Sequence, residues 1–162
     1  MGSGVFDDGS AAPDRCTPVL VFGCHGGAGT TTLAAHLGLA HEAGDIGAAP
    51  ASAAGRAVVA VTRGTAAGSR LGVEAAKTLR ASGASKVVVA VVADGPWPEP
   101  LAARARLRAL AGHVPVVRVP YITRWRFEDT PSTVPAPYER ALARLRAAYC
   151  SCTDHHPVKA TA

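Results

Sequence analysis

Apolar residues in this chain come in short unbroken runs, separated by stretches in which they recur at helical spacing. A first run closes with Val19-Leu20-Val21-Phe22-Gly23 and predicts a buried strand over 17–23. Ala57-Val58-Val59-Ala60-Val61-Thr62 predicts a second strand, and residues 86–94, Lys86-Val87-Val88-Val89-Ala90-Val91-Val92-Ala93-Asp94, a third. The third is apolar on both faces, as in a parallel sheet covered by helices on both sides. Val114-Pro115-Val116-Val117-Arg118-Val119 predicts a fourth, with Pro115 suited to an edge or a strand start. Between them, helices are expected from Thr30 to about Glu42 or Ala43 with Gly44 as the stop, over 68–81, and over 100–111 with Ala103, Leu107 and Leu110 on one side. Tyr121 to Phe127 suggests a helical turn, and 128–137 a proline-bearing loop. Tyr138, Leu142, Leu145 and Tyr149 predict a last helix over 137–149. Residues 44–56 read as a loop of low complexity. The alternation of strand and helix predicts an α/β three-layer sandwich with a mostly parallel sheet of about four strands.

Length fits one domain, expected over 16–149, between a Gly/Ser/Asp/Ala/Pro-rich flexible leader (1–15) and a disordered tail (150–162). Hydrophobic residues make up 48% of the chain and aromatics 5%, so the core must be built from Val, Leu and Ala. The net charge of +5 suits a phosphate ligand, an acidic partner or nucleic acid without choosing among them. No basic segment followed by an apolar run opens the chain, and the longest apolar run, Val87 to Ala93, is far below the ~20 residues that span a bilayer. A cytoplasmic protein without membrane contact is expected, with Cys16, Cys24, Cys150 and Cys152 reduced.

The candidate chemistry follows the first strand. Cys24-His25-Gly26-Gly27-Ala28-Gly29-Thr30-Thr31-Thr32 is a glycine-rich turn into a helix. Glycines let the backbone approach a phosphate, and the helix start offers unpaired N–H groups and a positive dipole end. A plain tight turn is the bland alternative, although such a turn needs fewer glycines. The standard phosphate-binding loop reads G-x-x-x-x-G-K-[ST]. With Gly29 as its last glycine, Cys24 falls on the first and Thr30 on the lysine. The variant K-G-G-x-G-K-[ST] keeps its glycines and its Thr in His25-Gly26-Gly27-Ala28-Gly29-Thr30-Thr31, with both lysines replaced.

In these residues the segment resembles the ParA/MinD family of deviant P-loop ATPases. Over roughly residues 17–127 the chain resembles a short relative of that family. Thr62-Arg63-x-x-x-x-Gly68, Ala93-Asp94-Gly95-Pro96 and residues 119–126, Val-Pro-Tyr-Ile-Thr-Arg-Trp-Arg, add to the likeness. The resemblance implies a P-loop NTPase-like fold that binds ATP or another nucleotide with Mg²⁺. The N–H groups of Gly26, Gly27, Ala28, Gly29, Thr30 and Thr31 would cradle phosphates, with Thr32 behind them. Thr31 and Asp94 would serve Mg²⁺. His25 is a candidate donor, and Arg63 a candidate for the lost positive charge. Losing a group that neutralises a transferring phosphoryl commonly costs roughly 10²–10³ in rate, so hydrolysis is not the expected activity. The implied role is a binder working through a protein partner or as a homodimer, in replicon partition, plasmid transfer or cell division. A slow ATPase using Arg63 or a partner's arginine, and an interaction module without nucleotide, are the alternatives.

Other patterns weigh less. Gly23-x-x-x-Gly27-x-Gly29 also fits a dinucleotide loop, with Arg63 meeting a 2′-phosphate of NADP, but no Tyr-x-x-x-Lys accompanies it. Cys150-Ser151-Cys152-Thr153-Asp154-His155-His156 has ligand types for zinc or copper in a spacing of no common module. His36 and His41 are five apart and do not share a helix face. Arg104, Arg106 and Arg108 raise nucleic acid as a partner, although solvated positions explain them. Trp125 and Trp97 suit either base stacking or core capping. Cys24 stands where a helix start could lower its pKa, with no base beside it.

Overall fold

A computed structural model describes residues 19–43, 51–128 and 133–150, without the side chains of 41–43 and 126. The expected leader lies outside the described residues, as do the metal-type ligands of the tail beyond Cys150. Five parallel strands form one sheet: β1 (Val19–Gly23), β2 (His41–Ala43), β3 (Ala57–Arg63), β4 (Lys86–Val92) and β5 (Val116–Val119), in the order β2-β1-β3-β4-β5. Four are the expected strands. Pro115 sits just before edge strand β5, where it lacks no ladder bond, and its carbonyl accepts from the Val89 N–H at 2.8 Å.

Four helices cover the two faces. α1 (Thr30–Leu37) and α4 (Ala136–Cys150) pack on one, α2 (Ala66–Ala81) and α3 (Leu101–Ala111) on the other. This is the expected three-layer α/β sandwich. Alternate residues of each strand feed opposite cores. Val59, Val61, Val88 and Ala90 meet Leu33, Leu142 and Leu145, while Val58, Ala60, Val87 and Val89 meet Ala76, Leu79 and Leu107. The unbroken Val/Ala runs are therefore the product of two-sided burial. Buried Thr62 donates its hydroxyl to the Gly68 carbonyl at 2.6 Å, which ties α2 to the end of β3.

One boundary differs from expectation. The first helix does not reach Glu42. Gly38, in the left-handed region at φ 69°, ends it after Leu37. The Gly38 N–H donates to Ala35 O at 3.2 Å and the Leu39 N–H to Ala34 O at 3.0 Å. This is a Schellman stop, with Leu39 packed back on the core. The chain freed by that stop runs on as β2, a fifth strand paired with β1. No described helix is long and apolar enough to cross a membrane.

Candidate functional site

β1 and β3 are neighbours, yet the helices that follow them lie on opposite faces. The two connections diverge and open a crevice at the carboxyl ends of the strands, where doubly wound sheets bind ligands. The glycine turn 24–29 forms one wall. Gly27 (φ 74°) and Gly29 (φ 91°) are left-handed, which aims the turn's N–H groups outward. Gly29 caps α1 with no side-chain bond. The N–H groups of Gly26, Gly27, Gly29, Thr30, Thr31 and Thr32 find no acceptor among the described residues. A cleft of about 530 Å³ runs over them, and it is lined by every residue from His25 to Thr32 together with Gly23 and Arg63.

The side chains divide into struts and free groups. His25 is a strut: Nδ1 lies 2.9 Å from Gly26 O, and Nε2 accepts the Arg63 N–H at 3.3 Å. Both bonds together define the neutral Nδ1–H tautomer. That leaves neither ring nitrogen as the spare donor expected from the sequence. Thr30, in the place of the motif's lysine, faces back toward β1. A Cβ on Gly23 would lie 2.5 Å from its Oγ1. Thr31 and Thr32 are exposed on the first turn of α1.

Arg63 ends β3 and is, among the described residues, the one arginine or lysine lining the cleft. Its Nε–H donates to Gly27 O at 2.7 Å and Nη1 to Asp94 Oδ1 at 2.7 Å. Arg63 pairs in register with Val92, so Asp94, two residues beyond, comes within reach. This pair bears on the expected metal site. Asp94 does not line the loop cleft, and its carboxylate is neutralised by a guanidinium. Thr31 lines the loop cleft and Asp94 stands outside its lining, so the two are not brought together on one wall. Among the described residues no three His, Cys, Asp or Glu side chains gather as a metal site.

A second cleft of about 200 Å³ adjoins the first and shares Gly29, Thr32 and Arg63 with it. Its far wall is apolar, with Ile122, Tyr121 and Trp125. Trp125 stacks on His36 with ring centroids 5.4 Å apart and meets Tyr138 edge-on at 4.7 Å. It thus caps the core and lines the cleft at once, while its Nε1 is buried with no partner among the described residues. Arg124 is turned away, bonded to Thr133 and 3.4 Å from Glu128. Trp97, after β4, is 83% exposed. Arg106 donates to Ala66 O at 2.9 Å and so braces α3 against α2.

Cys24 departs from the low-pKa reading. Its N–H extends the ladder to Val61 O at 2.9 Å and its side chain is buried. Burial pushes the thiol from 9.0 up to about 12. Tyr138 rises from 10.0 to about 12 for the same reason. Both raised groups keep their protons longer when folded. Their stabilising contribution is therefore full below about pH 9 and is lost as pH climbs towards 12. Native Cys24 is expected to resist iodoacetamide at pH 8 and to react on unfolding. The urea midpoint should fall between pH 9 and 11. Fast native alkylation would contradict the burial.

Fold and site together define a doubly wound parallel α/β domain with a glycine-rich, N–H-lined cleft at its switch point. No family model, no curated protein and no solved structure matches the chain. The dinucleotide alternative loses its geometric premise. The strand after the first helix is β2, so Arg63 ends the third strand, on the other flank of β1.

Proposed function

We propose that this chain binds a nucleotide, or a similar phosphate ester, in the adjoining clefts at the β1/β3 switch point and acts through a partner rather than by turnover. One observation carries the reading: the N–H groups of Gly26, Gly27 and Gly29 to Thr32, without an acceptor among the described residues, lie beside Arg63 in an open cleft, while the Ala28 N–H is taken by His25 O. Such groups at a helix start favour an anion. The neighbouring apolar cleft, with Tyr121 and Trp125, supports a ligand that carries a ring as well as phosphate. Among the described residues no lysine lines the cleft and Arg63 is engaged by Gly27 O and Asp94, so phosphoryl transfer needs either a freed Arg63 or a charge from a partner. Trp97 and Phe127, each 83% exposed after β4 and β5, support a protein partner or a second copy. Partition, plasmid transfer or cell division as the setting rests on the resemblance to ParA/MinD proteins.

Calorimetric titration with ATP at low salt, with and without Mg²⁺, tests the reading. Binding in the micromolar to low millimolar range is expected. No heat at millimolar ATP would leave an interaction module without nucleotide.

A further inference from the structure

Arg63 has two edges on which a phosphate can be held by two parallel N–H bonds, Nε with Nη2 and Nη1 with Nη2. Two of its three nitrogens are already engaged. Gly27 O takes the Nε–H and Asp94 takes Nη1, both at 2.7 Å. A phosphate that uses Arg63 therefore meets partners already in place. The two are unequal. The bond to Gly27 O lies within the glycine turn and helps to set its shape. The bond to Asp94 is a surface ion pair, with side chains 35% and 56% exposed, and such pairs exchange at little cost.

We infer that Asp94 is an internal counter-ion that occupies the anion position on Arg63 and must be displaced by the ligand. It thereby lowers the affinity of ligands that use Arg63. This rests on the phosphate-binding reading above and deepens it. A group with two or more negative charges, such as a di- or triphosphate, competes best with the single charge of the carboxylate, and its remaining oxygens reach the N–H groups of the turn. Asp94 acts through Arg63, and the sign of its effect is opposite to that of a metal ligand. Removing its charge strengthens metal-free binding, whereas removing a metal ligand weakens metal-dependent binding.

The test is titration of the full chain and Asp94→Asn with inorganic pyrophosphate, dimethyl phosphate and ATP, in EDTA and in Mg²⁺. The same substitution in an Arg63→Met background is the control. In EDTA, Asp94→Asn is expected to bind pyrophosphate and ATP about fivefold more tightly. Dimethyl phosphate, a monoanion that competes less well for Arg63, should gain no more than pyrophosphate does, and the substitution should change nothing once Arg63 is Met. A merely structural role for Asp94 would not make its effect depend on Arg63. Unchanged or weaker binding in EDTA, or a loss confined to Mg²⁺, overturns the counter-ion role while leaving the cleft as a phosphate site. If neither the full chain nor Asp94→Asn binds any of the three, the phosphate reading itself fails and the inference falls with it.

Discussion

Leu145→Ala is expected to lower the unfolding free energy by about 3 kcal/mol, within the range for truncating a fully buried leucine. Leu145 is wholly buried on α4, in the core that α4 and α1 share with the sheet. The same core cluster includes Ala141 and Ala34, whose side chains are too short to fill a gap. The cavity would stay open, so the cost adds lost contacts to lost burial. Since small domains are stable by roughly 5–15 kcal/mol, this is a large share. Urea unfolding should show a lower midpoint with an unchanged slope. An unchanged midpoint would mean that α4 is not seated on the sheet as described.

Gly29→Val is expected to weaken ATP and pyrophosphate binding at least tenfold. Space is not the obstacle, because a Cβ there comes no closer than 3.6 Å to Val92. The obstacle is φ 91°, which a β-branched residue resists by about 1–2 kcal/mol. To relieve that strain the turn must rotate, and the N–H groups of Thr30 and Thr31 leave the cleft with it. Gly38→Val is the matched control. It strains the other end of the same helix, at φ 69°, with nothing within 4 Å of the added carbon. Stability should fall in both variants and affinity in the first alone. Equal affinity in both would remove the turn from the binding site.

The main strands were legible because two-sided burial demands uninterrupted Val and Ala, a pattern little else imitates. β2 was not legible. His41-Glu42-Ala43 has no β-branched residue, and pairing with β1 alone makes it a strand. The signal missed was Gly38-Leu39, a glycine followed by an apolar residue at a helix end. The turn 25–32 and Arg63 could be named from residue types and do share one cleft. What those side chains do there could not be read. Thr30's reversal depends on Gly23 having no Cβ, and the Asp94 pairing depends on β3/β4 register across 31 residues. Tertiary geometry of this kind leaves no local trace in sequence.

The stacking of Trp125 on His36 has an optical consequence. The chain has two tryptophans, and they sit in opposite surroundings. Trp97 faces water, whereas Trp125 is wedged between Tyr138 of the last helix and His36 of the helix that begins at the glycine turn. The indole that lies deeper is thus mechanically linked to the cleft, and the shallower one stands apart from it as a built-in reference. This polypeptide carries a paired reporter of its own, and Trp97→Phe would leave emission from the lodged indole alone.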